Sequence, residues 1–249
     1  MNSTEKELAT LEKHLLQRLR TASKQFGLIA DGDHILIGLS GGKDSLCLLR
    51  LLSLQSRIHK PSFTIAAVHV RIEEVDYESD LSYLASFCAQ LGVPFHVLTT
   101  SLAPSSKESA QREKPACFLC SWNRRKQLFN FAQAHGFNKI ALGHHQDDLL
   151  HTALMNLTFQ GHFSTMPAKL VMRKMPLTIV RPLCTVQEAD IERYAAMNFF
   201  QPLIKHCPFE AATHRTSARE LFRELEKMNP EARYSIWNAL ESAGKLVES

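Results

Sequence analysis

Short apolar runs alternate along this chain with longer segments whose apolar residues recur at threes and fours. The runs at 34–39, 63–70, 94–100 and 138–143 read as strands, and the periodic segments near 43–55, 79–91, 121–135 and 146–158 read as helices. Such alternation predicts an α/β fold built on a doubly wound parallel sheet, whose ligand site lies beyond the carboxyl ends of its strands. Ahead of the first strand, residues 5–26 place Leu8, Leu11, Leu15 and Leu19 on one helical face, with Lys6, Lys13, Arg18, Arg20 and Lys24 around the remainder. That pattern predicts an N-terminal amphipathic helix packed on the main domain with a solvated basic face, although a face turned to a nucleic acid is compatible with it. Asp31-Gly32-Asp33 reads as a turn, and 161–180 as an irregular loop and hairpin with Met166, Met172 and Met175 as packing groups. The expected organisation is an N-terminal helix (1–30), the main domain (31–200) and a small C-terminal extension of a cysteine-containing loop and helices (201–249).

Composition narrows the class. A chain of 249 residues with 45% hydrophobic content buries a sizeable core in one domain, or in one plus a small appendage. No apolar stretch approaches the roughly 18 residues that span a bilayer, and Met1-Asn2-Ser3-Thr4-Glu5-Lys6 has no signal-peptide core, so the expectation is a cytoplasmic protein without membrane contact. In that compartment six cysteines are expected as buried thiols, metal ligands or catalytic groups rather than disulfides. A net charge of +4 and a pI near 8.7 permit a polyanionic partner without requiring one.

Three motifs carry chemistry. The first strand runs into Ser40-Gly41-Gly42-Lys43-Asp44-Ser45, followed by an apolar helical run from Leu46. Two glycines let the backbone approach an anion closely at a helix N-terminus, Ser40 and Ser45 add hydroxyl donors, and Asp44 is placed to hold a Mg2+ on a bound nucleotide. The loop is not a Walker A motif, since Lys43 is followed by Asp44 and position 37 is not glycine. After the second strand, Val68-His69-Val70-Arg71 is a candidate for adenosine contacts. After the fourth, Gly143-His144-His145-Gln146-Asp147-Asp148 brings an acidic pair to a helix start, where either carboxylate alone would read as an N-cap.

The cysteines form the third motif. Cys117 and Cys120 stand at i and i+3, with Arg124, Arg125 and Lys126 behind them. Such a pair chelates a soft metal, and equally serves as a redox pair, half a zinc site, or two thiols without a role. Cys207 lies far away in Lys205-His206-Cys207-Pro208-Phe209-Glu210, while Cys47, Cys88 and Cys184 sit in apolar contexts and read as core.

The Ser40–Ser45 hexapeptide resembles the pyrophosphatase loop of the N-type ATP pyrophosphatases, which cleave ATP between the α and β phosphates and leave AMP on a substrate oxygen. G-H-H-x-D-D resembles that family's second signature. The order of glycine loop, C-x-x-C with trailing arginines, G-H-H-x-D-D, Arg181-Pro182-Leu183 before a helix and a further cysteine motif is similar to the tRNA 2-thiocytidine synthetase family of PP-loop proteins. The likeness runs from the first strand through a helix containing Asn229-Pro230-Glu231-Ala232. It implies a HUP-like PP-loop fold, ATP and Mg2+, and a [4Fe-4S] cluster held by only Cys117, Cys120 and Cys207, leaving one iron without a thiolate.

By the same resemblance the substrate is tRNA: C2 of an anticodon-loop cytidine is adenylated and its oxygen is replaced by sulfur. A cysteine desulfurase or free sulfide is the implied donor, and a homodimer is compatible. Carried over by position, Ser40, Gly41, Gly42, Lys43, Asp44, Ser45, His69, Gly143 and His144 bind ATP. Asp44 with Asp147 or Asp148 holds Mg2+, and Lys43, Asp44, Arg124 and Asp148 are catalytic. One departure stands out. The family's second cysteine motif is usually another C-x-x-C, and here Glu210 occupies the last position, which removes a persulfide carrier there; Glu210 itself is expected to be exposed. Arg112, Lys114, Arg124, Arg125, Lys126, Lys169, Arg173, Lys174, Arg215, Arg219 and Arg223 are candidate phosphate contacts, at least half of them expected as ordinary solvated surface. The alternatives are a tRNA-Ile lysidine synthetase-like ligase, which needs no cluster, and an adaptor whose three cysteines and His206 or His214 bind Zn2+.

Overall fold

The computed structural model describes residues 3–77, 81–101, 116–206 and 214–248. Its strands are β1 (Asp33–Gly38), β2 (Phe63–Ile72), β3 (Asp76–Tyr77), β4 (Phe95–Thr100), β5 (Lys139–Ala141), β6 (Lys169–Val171), β7 (Thr178–Val180), β8 (Lys205–His206) and β9 (Val247–Glu248). Its helices are α1 (Ser3–Phe26), α2 (Lys43–Ser56), α3 (Ser82–Leu91), α4 (Ala116–Ala134), α5 (Gln146–Gln160), α6 (Glu188–Met197), α7 (His214–Met228) and α8 (Ala232–Ser242).

Seven strands form one sheet in the order β4-β2-β1-β5-β7-β6-β9. Its interior strand β1, with Ile35, Leu36 and Ile37 fully buried, is apolar on both faces, as a strand covered by helices on either side must be. It pairs in parallel with β2 and β5, setting Ile37 opposite both Ala67 and Ala141. β2 continues in parallel to β4, and β5 to β7. The winding reverses between β1 and β5, so a crevice opens where the loops after these two strands diverge. At the far edge β6 returns antiparallel to β7 and β9 adds in parallel, so 161–180 contains the hairpin expected of it.

Packing explains where the elements depart from expectation. β5 is shorter than the run at 138–143 because the Leu142 amide already turns to the Val180 carbonyl. α4 starts at Ala116, ahead of the expected 121, so Cys117 and Cys120 lie within the helix. The segment Asn229–Ala232 is not one helix. Asn229 closes α7 by donating to the Leu225 carbonyl, Pro230 occupies the turn, and α8 begins at Ala232.

Leu11, Leu15, Leu19, Ala22 and Phe26 of α1 share a core with Leu46, Leu49, Phe222, Trp237 and Leu240, so residues from all three expected segments meet in one cluster. The basic face of α1 is exposed at Lys6, Lys13, Arg18, Arg20 and Lys24, and two of these residues also reach the main domain. Arg18 Nε donates to the Thr185 carbonyl at 3.1 Å, and Arg20 Nε to Gln55 Oε1 at 2.6 Å, tying the helix to the main domain. Met166 packs against the main cluster, while Met172 and Met175 pack against a second one centred on Leu36, Val68 and Ile140. Among the described residues no helix is long and apolar enough to cross a membrane.

At the amino ends of β1 and β5, a buried ion pair locks the sheet. Lys139 Nζ lies 2.6 Å from Asp33 Oδ2 and donates to the Leu28 carbonyl at 2.8 Å, while Asn138 donates to the other oxygen of Asp33. Removing one partner of a buried pair strands the other charge in a poor solvent. Asp33→Ala is therefore expected to lower unfolding free energy by about 3–5 kcal/mol, and Lys139→Met by a similar amount. Replacing both with apolar residues should cost less than either change alone, as read by urea denaturation with an unchanged m-value.

Candidate ATP site

The glycine loop leaves β1 at Gly38 and enters α2 at Lys43, with Gly42 as the N-cap in extended conformation. Gly41 has φ +86°, and a Cβ there would also lie 2.6 Å from Leu203 Cβ, so conformation and space both demand glycine. Ser45 folds its hydroxyl back on the loop, donating to the Gly42 carbonyl at 2.9 Å and accepting from the Gly41 amide at 3.2 Å. Ser40 Oγ accepts from the Gly42 amide at 3.3 Å. The two hydroxyls thus hold the loop's own shape.

The second motif arrives at the same place. Gly143, just past β5, packs so tightly that a Cβ would stand 3.0 Å from the carbonyl carbon and oxygen of Asp44 and from the Ser45 amide nitrogen. His145 caps α5, with its ring inserted among three carboxylates: Asp147 Oδ2 at 3.6 Å from Nδ1, Asp148 Oδ2 at 3.5 Å from Nε2, and Asp44 Oδ1 at 4.0 Å from Nε2. Burial pulls its pKa down, but Asp147, Asp148 and Asp44 outweigh that and hold it above the ordinary value. Asp44 Oδ1 is buried and makes no aligned hydrogen bond among the described residues, although the Lys43 ammonium lies 3.2 Å away. It is an acceptor with spare capacity, between the Lys43 ammonium and the His145 ring.

Asp147 and Asp148 have different surroundings. Asp147 accepts the Glu188 amide at 2.7 Å on Oδ2 and lies 2.8 Å from Arg233 Nη2 on Oδ1. Burial alone would raise its pKa, yet His145, Arg233 and the Glu188 amide carry it well below the usual carboxylate range. Arg233 is itself fixed by Glu226 at 3.0 Å and by the Phe222 ring 5.0 Å beneath its guanidinium. Asp147 therefore joins α5, α6 and α8. Asp148 is more open: it accepts the His145 amide at 3.2 Å and faces Arg215 Nη1 at 3.9 Å.

Glu188 was not visible as a site residue in the sequence. It stands at the start of α6, 3.1 Å from Lys43 Nζ, and takes both its oxygens to Arg219 of α7 at 2.8 and 2.9 Å. Its only sequence signal is an acidic residue in a first helical turn. Burial lowers the Lys43 pKa, but Asp44 and Glu188 outweigh it, so this lysine is held charged.

His144 meets Arg181 instead of the loop: Arg181 Nε donates to His144 Nδ1 at 3.3 Å, and Arg181 also donates to the Pro167 carbonyl. Burial and this neighbouring cation push the His144 pKa down to about 4, so the ring is neutral at physiological pH. His69 is buried beneath the loop, its Nδ1 2.8 Å from the Leu39 carbonyl. Beside it a cleft of about 180 Å3 runs between the ends of β1 and β2 and helix α4, walled by Val68, Val70, Leu128 and Leu142 with Arg124 at its side. Apolar walls and two cations, Arg124 and Arg125, next to a glycine loop suit a purine nucleotide.

Cys120 carries a free, half-buried thiol in the first turns of α4; Cys117 lies in the same turns, its side chain outside the described residues, as are Cys207, Glu210, Arg112 and Lys114. The side chains of His206 and His214 are also outside them. Burial raises the thiol pKa of Cys47, Cys88 to about 11 and Cys184 to about 12, which leaves these three as inert core groups, as expected.

Comparison with known proteins agrees with this geometry. Residues 11–202 match the PP-loop domain family. The chain is 34% identical over 244 residues to tRNA-cytidine(32) 2-sulfurtransferase 1 of Francisella tularensis subsp. novicida, covering 97% of this chain and 90% of that protein. It is also 34% identical over 239 residues to the tRNA-cytidine(32) 2-sulfurtransferase of Methylococcus capsulatus, covering 95% and 81%. In fold it is similar to the U34-tRNA thiolase NcsA from Methanococcus maripaludis, solved with its [4Fe-4S] cluster, at TM-score 0.70 and 24% identity over 91% of this chain and 77% of that one. With a family model matching most of the chain and curated relatives at 34% identity over nearly all of it, the chain belongs to the PP-loop tRNA 2-thiocytidine synthetase family of sulfurtransferases.

Proposed function

We propose that this enzyme adenylates C2 of an anticodon-loop cytidine of tRNA and exchanges the activated oxygen for sulfur. The observation that carries the reading is the contact of Gly143 with the Asp44–Ser45 backbone, which merges the two nucleotide signatures into one surface at the crevice. The loop amides and Lys43 bind the polyphosphate, the apolar cleft beside His69 takes the adenosine, and Arg124 stands where the α phosphate would meet an incoming base. Positioning and charge neutralisation supply most of the acceleration in such phosphoryl chemistry. Attack by the cytidine O2 forms a bond to the α phosphorus and breaks the bond to the β phosphate oxygen, so pyrophosphate leaves. Sulfide then attacks C2, forming the C2–S bond and breaking the C2–O bond, so that AMP leaves with the oxygen.

Two groups complete this scheme. The spare acceptor on Asp44 and the open carboxylate of Asp148, both within about 4 Å of one imidazole, fit a hard divalent cation such as Mg2+. Asp147, consumed by Arg233 and the Glu188 amide, is assigned to holding the motif in place. The thiols Cys117, Cys120 and Cys207 fit an iron–sulfur cluster by donor chemistry, with Cys120 at the base of the helix that carries Arg124 into the cleft. When bound, a cluster with one iron lacking a protein thiolate supplies a site for a transferable sulfide. Free sulfide serves as donor, or the persulfide of a cysteine desulfurase once a thiol reductant has released its outer sulfur as sulfide, and the cytoplasm as compartment.

Activation and sulfur delivery rest on separate residues and separate under mutation. Asp44→Ala is expected to abolish pyrophosphate release in the presence of unmodified tRNA while iron and acid-labile sulfide, measured after anaerobic purification, stay at parental levels. Cys120→Ala should do the reverse, losing iron and sulfide and yielding no 2-thiocytidine by nucleoside mass spectrometry, with ATP binding retained. Adenylation surviving in Asp44→Ala would remove the metal assignment. The two carboxylates of α5 separate as well: Asp148→Asn should reduce adenylation by about 100-fold or more with thermal stability intact. Asp147→Asn should lower stability, with a coupling to Arg233→Met of about 1–3 kcal/mol in a double-mutant cycle.

A further inference from the structure

Helix α4 shows two faces, and the proposed chemistry uses one of them. Its rotation is fixed by Asn123, which is 6% exposed and donates from Nδ2 to the Ser101 carbonyl at 2.7 Å beyond the end of β4. Positions 120, 124 and 128, spaced by one turn, then face the cleft, where Arg124 and Leu128 form part of the wall. Positions 118 and 122 are left on the outward face, and Arg125 lies at its border, where it also lines the cleft. On the outward face Phe118 is 49% and Trp122 56% exposed, two large aromatic side chains one turn apart. Arg125 follows on the next turn at the cleft mouth, with Lys126 exposed beside it, and neither pairs with a carboxylate among the described residues. The 19 residues of α4 include no acid, and Arg124, Arg125 and Lys126 are consecutive.

We propose that this outward face is a stacking platform for the single-stranded loop of the tRNA, on which a base adjoining the target lies against Trp122 while Arg125 and Lys126 take the flanking phosphates. The inference rests on the tRNA reading above and says where the RNA lies. Aromatic faces interleaved with cations are the chemistry that holds unpaired nucleotides, because every base offers a π surface and every linkage a negative charge. A cytidine drawn into the cleft past Arg124 leaves its neighbours unstacked at the edge of α4, and the indole is the apolar surface that replaces the lost stacking partner. The excess of positive charge on the same helix favours a polyanion over a neutral or basic protein segment.

The chain has two tryptophans, and Trp237 is buried at 8% exposure, so Trp237→Phe leaves Trp122 as the sole reporter. Titration with an unmodified anticodon stem-loop RNA is expected to quench and shift the Trp122 emission. In the otherwise unaltered chain, Trp122→Ala should weaken stem-loop binding by filter assay about tenfold to a hundredfold, leave ATP affinity and thermal stability at parental values, and be largely rescued by Trp122→Phe. Parental affinity in Trp122→Ala, or stem-loop binding that leaves Trp122 emission unchanged, would overturn the platform while the thiolation reading stands. Intact stem-loop binding with loss only of sulfur uptake from a desulfurase would overturn it in favour of a protein-docking face. Failure of the parent itself to bind any stem-loop would bring down both readings.

Discussion

The site depends on a single close approach, that of Gly143 to the first turn of α2. With a would-be Cβ at 3.0 Å from Asp44 and Ser45, no side chain fits between the β5 loop and the glycine loop, and the two backbones lie in direct contact. Leu203 closes from another side, its amide donating to the Gly41 carbonyl at 2.9 Å and its side chain filling the space a Cβ on Gly41 would need. The loop is thus held between two segments that come from opposite sides of the β1/β5 switch point. Its own Ser40 and Ser45 hydroxyls complete the restraint. An anion cradle of this kind must be rigid before the ligand arrives, because loop amides that had to be ordered at binding would spend interaction energy on that ordering.

From that contact follows the electrostatic arrangement. Bringing α5 against α2 sets Asp44, Asp147 and Asp148 around one imidazole, an arrangement that would be unfavourable without cations near by. The C-terminal helices provide them: Arg233 against Asp147, Arg215 toward Asp148 and Arg219 against Glu188. This gives the helices after residue 213 a role beyond covering the core with Phe222 and Trp237. They neutralise the acidic edge from behind, which is why a segment that reads as an appendage in sequence is joined to the oldest-looking motif in the chain.

Much of the fold was legible because apolar periodicity reports burial directly. The strands at 34–39 and 63–70 and the helix from Lys43 are displaced by a residue or two at most, since their side chains are buried on the faces the pattern assigns. The glycine loop and G-H-H-x-D-D were legible as chemistry because glycine spacing and paired acids are unusual locally. The division of labour between Asp147 and Asp148 was not, because it depends on Arg233, which lies far along the chain and carries no local mark. Glu188 was hidden in the same way. His144 looked like a nucleotide contact from its place in the motif, whereas its ring is taken up by Arg181 across the β5–β7 edge. Arg18 and Arg20 are exposed as the pattern assigns, but periodicity could not show the partners, Thr185 and Gln55, that they also reach.

Charge balance explains how an acidic edge and a polyphosphate coexist. Asp44, Asp147, Asp148, Glu188, Glu192 and Glu226 contribute six negative charges, and Lys43, Arg215, Arg219 and Arg233 contribute four positive ones, all linked by contacts of 4 Å or less, with the His145 imidazole among the first three. The side chains therefore offer no surplus attraction, and the loop's affinity for an anion must come from its backbone amides and the α2 dipole. A divalent cation bound by Asp44 and Asp148 would tip that balance by two charges at the point where the triphosphate lies. Metal and nucleotide then bind most favourably together, since each supplies the charge the other lacks, while Lys43, already shared between Asp44 and Glu188, has only to exchange one oxygen partner for another. On the proposed reading Glu188 would be the group that loses its cation when phosphate enters, and Arg219, holding both its oxygens, would keep that carboxylate from repelling the ligand.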